Sequence, residues 1–290
     1  MKADHVPATV KRIVHVGSRS YGRLTAEARM LPSFLLCGGQ RCGTTSLYRA
    51  LAEHPAVLKA VLHKGVHYFD TAYHRGMRWY RGHFPLLRTA RRIAGELGVE
   101  PQAFESSPYY MYHPHAVGRI ARDLPGVRLV ALVRDPVERA YSQHAHEVAR
   151  GFESETSFAR ALALEPARLR GQHERLTADP RAHSFAHQHH AYRARGEYAR
   201  YLQAMARTVG RQRILVVDSG EFFTSPRQVY DRVLHFLGLP MMEYPSFARH
   251  NARPRTTDMA DHVRRELTAH FAPWDARLVE WLGTEPSWRC

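Results

Sequence analysis

Short, unbroken apolar runs alternate along the chain with stretches whose apolar residues recur at helical spacing. The first run, Phe34 to Cys37, meets a glycine-rich turn, after which Leu47 and Leu51 fall on one helical face. The clearest run is VRLVALVRDP, Val127 to Pro136, ended by a charged pair and a proline; a third is RILVVD, Arg213 to Asp218. Runs of this length without polar alternation mark strands buried on both faces of a parallel sheet. Helices are predicted over Pro114 to Asp123, through Arg139, Tyr141 and Ser142 after the second strand, and over Glu197 to Arg207, Pro226 to Leu237 and Asp258 to Leu282. Other stretches read less sharply. His63 to Asp70 is expected as a short strand or loop, Ala103 to Pro114 as a short strand ending in a turn, and HPAV, His54 to Val57, as a breaker. GMRWYRGHFP, Gly76 to Pro85, combines core rings with arginines at the rim.

Strands alternating with helices argue for a three-layer α/β domain with a central parallel sheet flanked by helices. That domain is placed over 32–290, after a basic, weakly patterned arm over 1–31. Residues 151–195 are polar and rich in arginine and histidine, with helical fragments; they read as a solvated excursion or as a lid or acceptor-binding insert. No repeat at solenoid spacing is present.

Composition narrows the partners. A chain of 290 residues with 44% hydrophobic content can bury one sizeable core. Its formal charge of +15 favours an anionic partner, without choosing among nucleotide, acidic substrate, nucleic acid and membrane. Cys37, Cys42 and Cys290 lack paired-ligand spacing, so neither a disulfide framework nor a zinc site is indicated, and a reducing, cytoplasmic compartment fits. No apolar run reaches the roughly 20 residues of a membrane span, and the first thirty residues lack a signal peptide's apolar centre, so a soluble protein is expected.

The turn after the first run carries candidate chemistry. Gly38 is followed by four residues, then Gly43, Thr44 and Thr45, the spacing of a phosphate loop that aims backbone N–H groups and a helix N-terminus at an anion. Nucleoside triphosphate loops carry lysine after the second glycine. Thr44 stands there instead, and the nearest cation, Arg41, lies three residues earlier, which suggests an altered anion. A ligand-free glycine turn is the bland alternative. A nucleotide kinase or NTPase, with Asp135 as magnesium aspartate, is opposed by the missing lysine. A basic nucleic-acid binder leaves the loop unexplained.

Two stretches together, GGQRCGTTSL and LVRDPVERAYSQ, resemble the sulfotransferases that use 3′-phosphoadenosine 5′-phosphosulfate, nearest to their heparan-type and bacterial branch. KGVHYFD, FESSPYY, RARGEYARYL and FAPWDARLVEWLG extend the resemblance over most of the chain from Pro32. It implies a P-loop-like fold and transfer of a sulfuryl group to an acceptor hydroxyl, with release of adenosine 3′,5′-bisphosphate and without a metal. It also implies a carbohydrate, glycolipid or other small-molecule acceptor rather than nucleic acid; oligomeric state is not read. The donor would lie on Gly39, Gln40, Arg41, Cys42, Gly43, Thr44, Thr45 and Ser46, with Arg41 in place of the family's loop lysine at the bridging and sulfuryl oxygens. Arg134 and Ser142 would hold the 3′-phosphate, and Arg253, in a basic loop with Arg249 and Arg255, would complete that grip. Gly65 stands where the branch commonly has a glutamate base. Base candidates are His67, which is favoured, His63 and Glu105, with Lys64 as an assisting cation. Pro136, Arg139, Tyr192, Arg195, Gly196 and Tyr198 have structural readings as helix starts and packing.

Overall fold

The run at Phe34 forms the central strand β1 (Pro32–Gly38), buried at every position except Ser33, with Leu35 and Leu36 wholly enclosed. The structure is a computed structural model and describes residues 21–61, 63–250 and 258–289. In chain order it continues through α1 (Thr44–Glu53), β2 (Val57–Lys59), α2 (Met77–Arg81), α3 (Leu87–Leu97), β3 (Gln102–Ser106), α4 (Ala116–Asp123), β4 (Arg128–Val133) and α5 (Pro136–Ala149). There follow α6 (Phe158–Leu169), α7 (Gln172–Ala178), α8 (Phe185–His189), α9 (Tyr198–Val209), β5 (Ile214–Asp218), α10 (Ser219–Thr224), α11 (Pro226–Leu237) and α12 (Asp261–Leu282). The sheet order is β2-β3-β1-β4-β5, and every adjacent pair is parallel. Because β3 lies on one side of β1 and β4 on the other, the loops leaving β1 and β4 part at the strand ends. Open parallel sheets bind ligands in such a crevice.

The three apolar runs became β1, β4 and β5, and the helix forecast over Pro226 to Leu237 is α11 as drawn. His63 to Asp70 contains no strand; it is a loop closing in a turn. The missed strand, β2, is three residues long, too short for any periodicity to register. Residues 151–195 supply α6, α7 and α8, with Ser157 and Ser184 accepting capping bonds from Arg160 N–H and His187 N–H. Phe158, Ala161 and Leu162 of α6 join Val137 and Ala140 of α5 and Leu267 and Phe271 of α12 in a second apolar cluster, so this stretch is packed rather than solvated throughout. Residues 1–20 of the 1–31 arm, Arg253, Arg255 and Cys290 lie outside the described residues. Among the described residues no helix is long and apolar enough to cross a membrane.

Gly38 is where β1 and β4 come too close for a side chain. At its φ of 147°, a Cβ would stand 2.4 Å from the Leu132 nitrogen and 2.6 Å from the Leu132 oxygen. Backbone cannot yield as a side chain can, so Gly38→Ala is expected to destabilise the fold by about 2–3 kcal/mol, read as a lower urea midpoint at unchanged m-value.

Candidate active site

After Gly38 the chain folds back over the strand ends. Gly39 N–H donates to the Leu132 carbonyl of β4 (2.8 Å), and Cys42 N–H to the Gly39 carbonyl (3.2 Å). Gly43, left-handed at φ 80°, then opens α1, so Thr44 and Thr45 sit at the helix mouth, where backbone N–H groups and the helix dipole attract an anion. Arg134, directly after β4, donates from Nη1 to the Arg41 carbonyl (3.3 Å), and Arg41 Nε donates to Ser142 Oγ of α5 (3.0 Å). Asp135 is occupied differently from a metal aspartate: its carboxylate caps α5, accepting from Val137 N–H and Glu138 N–H. From the β5 side come Ser219 and Phe223, with the Arg249 guanidinium 4.6 Å over the Phe223 ring, and His250 N–H donates to Ser46 Oγ (3.0 Å). These groups border one cavity of about 1000 Å³, lined by Arg41, Thr44, Thr45, Arg134, Ser142 and Phe223 among others.

A second group of residues gathers at the end of β3. Lys64 Nζ donates to Thr45 Oγ1 (2.8 Å) and lies 3.5 Å from Thr44 Oγ1, while its carbonyl accepts from Ser106 N–H (2.9 Å). Burial, with Arg49 adding repulsion, brings the Lys64 ammonium down to about 8. His67 Nδ1 pairs with Asp70 Oδ2 at 2.7 Å; the imidazole side chain is 41% exposed and the Asp70 side chain wholly buried. Desolvation presses the His67 pKa down, but the charge and hydrogen bond of Asp70 outweigh it and the net shift is upward. Asp70 moves the other way: burial would raise it, and His67 holds it below its usual value. Gly65 explains why the ring can be there. A Cβ built on Gly65 would meet the Ser106 backbone oxygen at 2.8 Å and His67 Nε2 at 3.3 Å, so backbone on one side and the imidazole on the other leave no room for a side chain at 65. Among the described residues, the non-glycine residues at positive φ are Arg41 (72°) and His67 (55°). Both are candidate chemistry, where such strain tends to collect.

A sulfotransferase domain family model matches residues 31–263. The chain belongs to the sulfotransferase family. The human bifunctional heparan sulfate N-deacetylase/N-sulfotransferase 3 is 31% identical over 225 residues, which is 74% of this chain and 23% of that protein. This sulfotransferase thus spans about a quarter of the length of such bifunctional relatives. Mouse heparan sulfate glucosamine 3-O-sulfotransferase 6 is 25% identical over 285 residues, 90% of this chain and 74% of its own. The crystal structure of a sulfotransferase from Alicyclobacillus acidocaldarius aligns with a TM-score of 0.67 at 28% identity, over 90% of this chain and 100% of that one.

Within the sulfotransferase fold, the residues singled out in the sequence divide into three sets. Arg41, Gly43, Thr44, Thr45, Arg134 and Ser142 share the cavity. Lys64 reaches that loop through Thr45, with His67 three residues further along. Glu105 does neither. It is wholly buried, and its oxygens accept from Ser107 Oγ (2.7 Å), Val66 N–H (3.2 Å), Tyr110 OH (2.6 Å) and Tyr80 OH (3.4 Å). Gln40 and Cys42 face inward: Gln40 donates to Glu147 Oε1 (2.6 Å), and Cys42 Sγ meets Tyr198 OH at 3.5 Å. Burial raises the Glu105 carboxyl and the Cys42 thiol, although hydrogen bonds to both oppose it. Arg195 does pack, stacking on Tyr109 and Tyr112, yet it also donates to Gln40 Oε1, tying the phosphate loop to the end of the 151–195 stretch. Nothing in its local sequence marks that link, which joins residues 155 positions apart.

Proposed function

We propose that this sulfotransferase moves a sulfuryl group from 3′-phosphoadenosine 5′-phosphosulfate to a hydroxyl of a carbohydrate or other small-molecule acceptor, releasing adenosine 3′,5′-bisphosphate. The observation that carries this reading is the pairing of two anion grips on one cavity: the α1 mouth with Thr44 and Thr45, and Arg134 with Ser142. A donor with separate 5′-phosphosulfate and 3′-phosphate groups needs two such grips, whereas a triphosphate needs one. The donor supplies an activated sulfuryl group on a good leaving phosphate. The residues bind and orient it, and electrostatic stabilisation of developing charge supplies much of the rate. His67 is the proposed base, Asp70 holding its Nδ1–H so that Nε2 accepts the acceptor proton. Use of Asp135 as a helix cap counts against the kinase reading. The relatives' names, heparan sulfate N-sulfotransferase and 3-O-sulfotransferase, support an amino sugar polymer or similar carbohydrate as the acceptor class. A cytoplasmic setting stays part of the proposal, and the free thiols of Cys37 and Cys42 accord with it.

Calorimetric titration with adenosine 3′,5′-bisphosphate, in the absence of metal, tests the donor site. Binding is expected in the unaltered protein, and Arg134→Ala is expected to weaken it about 10- to 100-fold, the loss of one charge-assisted contact to phosphate. Binding of ATP with magnesium and not of the bisphosphate would return the loop to the kinases.

A further inference from the structure

The phosphate loop is held from behind by side chains that play no part in the donor reading. Arg139, Gln143 and Glu147 follow one another at successive turns of α5, and all three are buried. A helix face that would ordinarily be apolar is polar here. Arg139 donates from Nη1 to Gln143 Oε1 (2.7 Å) and from Nη2 to the Tyr192 carbonyl, while Gln143 Nε2 donates to the His189 carbonyl (3.0 Å). Glu147 divides its oxygens: Oε1 accepts from Gln40 Nε2 (2.6 Å), and Oε2 meets His189 Nδ1 at 2.9 Å. Burial presses the Glu147 pKa up, but the bonds from His189 and Gln40 outweigh it and keep the group below its usual range, as a carboxylate. Gln40 Oε1 in turn accepts from Arg195 Nη1. One end of the carboxamide is therefore claimed by a group that only accepts and the other by a group that only donates, which leaves it a single orientation.

The neighbours of Gln40 show why that orientation matters. At Gly39 a Cβ would stand 2.4 Å from Cys42 Sγ, 3.1 Å from the Tyr198 ring and 3.4 Å from Arg139 Cδ, so the loop lies flat on this wall; at Arg41, with φ 72°, it turns. The side chain between the two is the one that enters the wall. An apolar residue could pack there at lower desolvation cost, since among the described residues Arg195 Nε and Nη2 have no hydrogen-bond partner. What the polar set adds is direction. Resting on the donor reading above, we propose that Glu147 and Arg195 are positioning residues: gripping the two ends of Gln40, they fix the turn at Arg41 so that the loop's N–H groups face the donor. Neither borders the cavity itself. Because Arg195 lies 155 positions from Gln40, at the end of the 151–195 stretch, the loop takes its direction from how that stretch is docked.

The test exchanges the two groups. Gln40→Glu sets two carboxylates side by side; combined with Glu147→Gln, the carboxylate at 40 accepts from Arg195 and from the amide at 147, whose oxygen is left for His189. Binding of adenosine 3′,5′-bisphosphate is measured by calorimetry on the full chain, per folded molecule. Hydrogen exchange is followed in the ligand-free protein at the Gly39 and Cys42 amides, both bonded within the turn, and unfolding midpoints are recorded for each variant. Gln40→Glu is expected to weaken the bisphosphate about 10-fold or more and to speed exchange at both amides by a similar factor, and the double change to bring both to within about 3-fold of the unaltered protein. Gln40→Met, which fills the volume without either bond, serves where Gln40→Glu does not fold and is expected to act in the same direction. A lowered midpoint with unchanged affinity and unchanged exchange at 39 and 42 would make the network structural only and overturn the proposal, as would a double change that restores neither. Failure of the unaltered protein to bind the bisphosphate overturns the donor reading instead, and the exchange rates still decide whether Gln40 is what holds the turn.

Discussion

His67→Ala is expected to lower kcat by about 10²- to 10⁴-fold while adenosine 3′,5′-bisphosphate binds as before, because a positioned general base contributes roughly that much and no contact to the donor is removed. The geometry behind this is specific. Nδ1 is committed to Asp70 at 2.7 Å, leaving Nε2 as the acceptor, and Nε2 lies 3.3 Å from the place a Cβ on Gly65 would occupy. Gly65→Glu is expected to reduce activity, because a Cβ at 65 stands 2.8 Å from the Ser106 backbone oxygen, which cannot give way, and 3.3 Å from the ring. A turnover rate unchanged in His67→Ala would remove histidine from the mechanism.

The pH profile supplies an independent reading of the same assignment. His67 acts as a base only when neutral, and its pKa is shifted above the ordinary 6.5, so kcat/KM rises with pH through a value higher than 6.5. Lys64 acts only when charged and is brought down to about 8, so kcat/KM falls again as pH rises through that region. The free-enzyme profile is a narrow bell. Three charged groups set the first limb: Asp70 and Glu105 favour the imidazolium and Arg195 opposes it. Loss of the rising limb in His67→Ala and of the falling limb in Lys64→Gln is the expected outcome, with fold integrity followed by the unfolding midpoint.

The sheet was legible because its central strands are buried on both faces, and burial of that kind writes itself as unbroken apolar runs at Phe34, Val127 and Ile214. Edge strand β2 was not, since three residues carry no period and their place beside β3 is set by tertiary pairing. Over 151–195 helical fragments were legible but their packing was not. The buried face of α6 is short, the side chains around it are polar, and its packing partners Val263, Leu267 and Phe271 lie about a hundred residues further on.

The two proposed anion grips were legible as motifs, because backbone geometry demands glycine at 38 and 43 and strand ends place Arg134 after an apolar run. Side-chain direction was not. Sequence order put Arg41 with the threonines that follow it, and only the fold shows it bonded to Ser142, 101 residues away, while Lys64 crosses to Thr45. The same limit governed Glu105. A carboxylate at the end of a strand beside an anion loop reads as a base until its surroundings are counted, and those surroundings are all donors.

Glu105→Ala is accordingly expected to destabilise the protein by roughly 3–5 kcal/mol, among the larger single-site costs, because four buried donors lose their acceptor at once. Ser107 Oγ, Val66 N–H, Tyr110 OH and Tyr80 OH converge on its two oxygens, and Tyr110 OH also accepts from Tyr68 N–H at 2.9 Å. Through these bonds one carboxylate ties the end of β3 to the loop that presents Lys64 and His67. Glu105→Gln separates this role from catalysis. Glutamine keeps an acceptor for Val66 N–H and can donate to a tyrosine hydroxyl that turns to accept, so the expected loss is within about 1.5 kcal/mol. Its sign with pH is also set. Burial holds the glutamate pKa above its ordinary value, so ionisation costs the folded state more than the unfolded one, and the native protein loses stability as pH rises through that shifted value. Glutamine has no such dependence, which makes the gap between the two proteins narrow as pH rises. Urea midpoints with turnover measured per folded molecule decide the matter: near-native kcat in Glu105→Gln keeps the residue structural, and a drop of about 10²-fold or more at an unchanged midpoint would make it the base in place of His67.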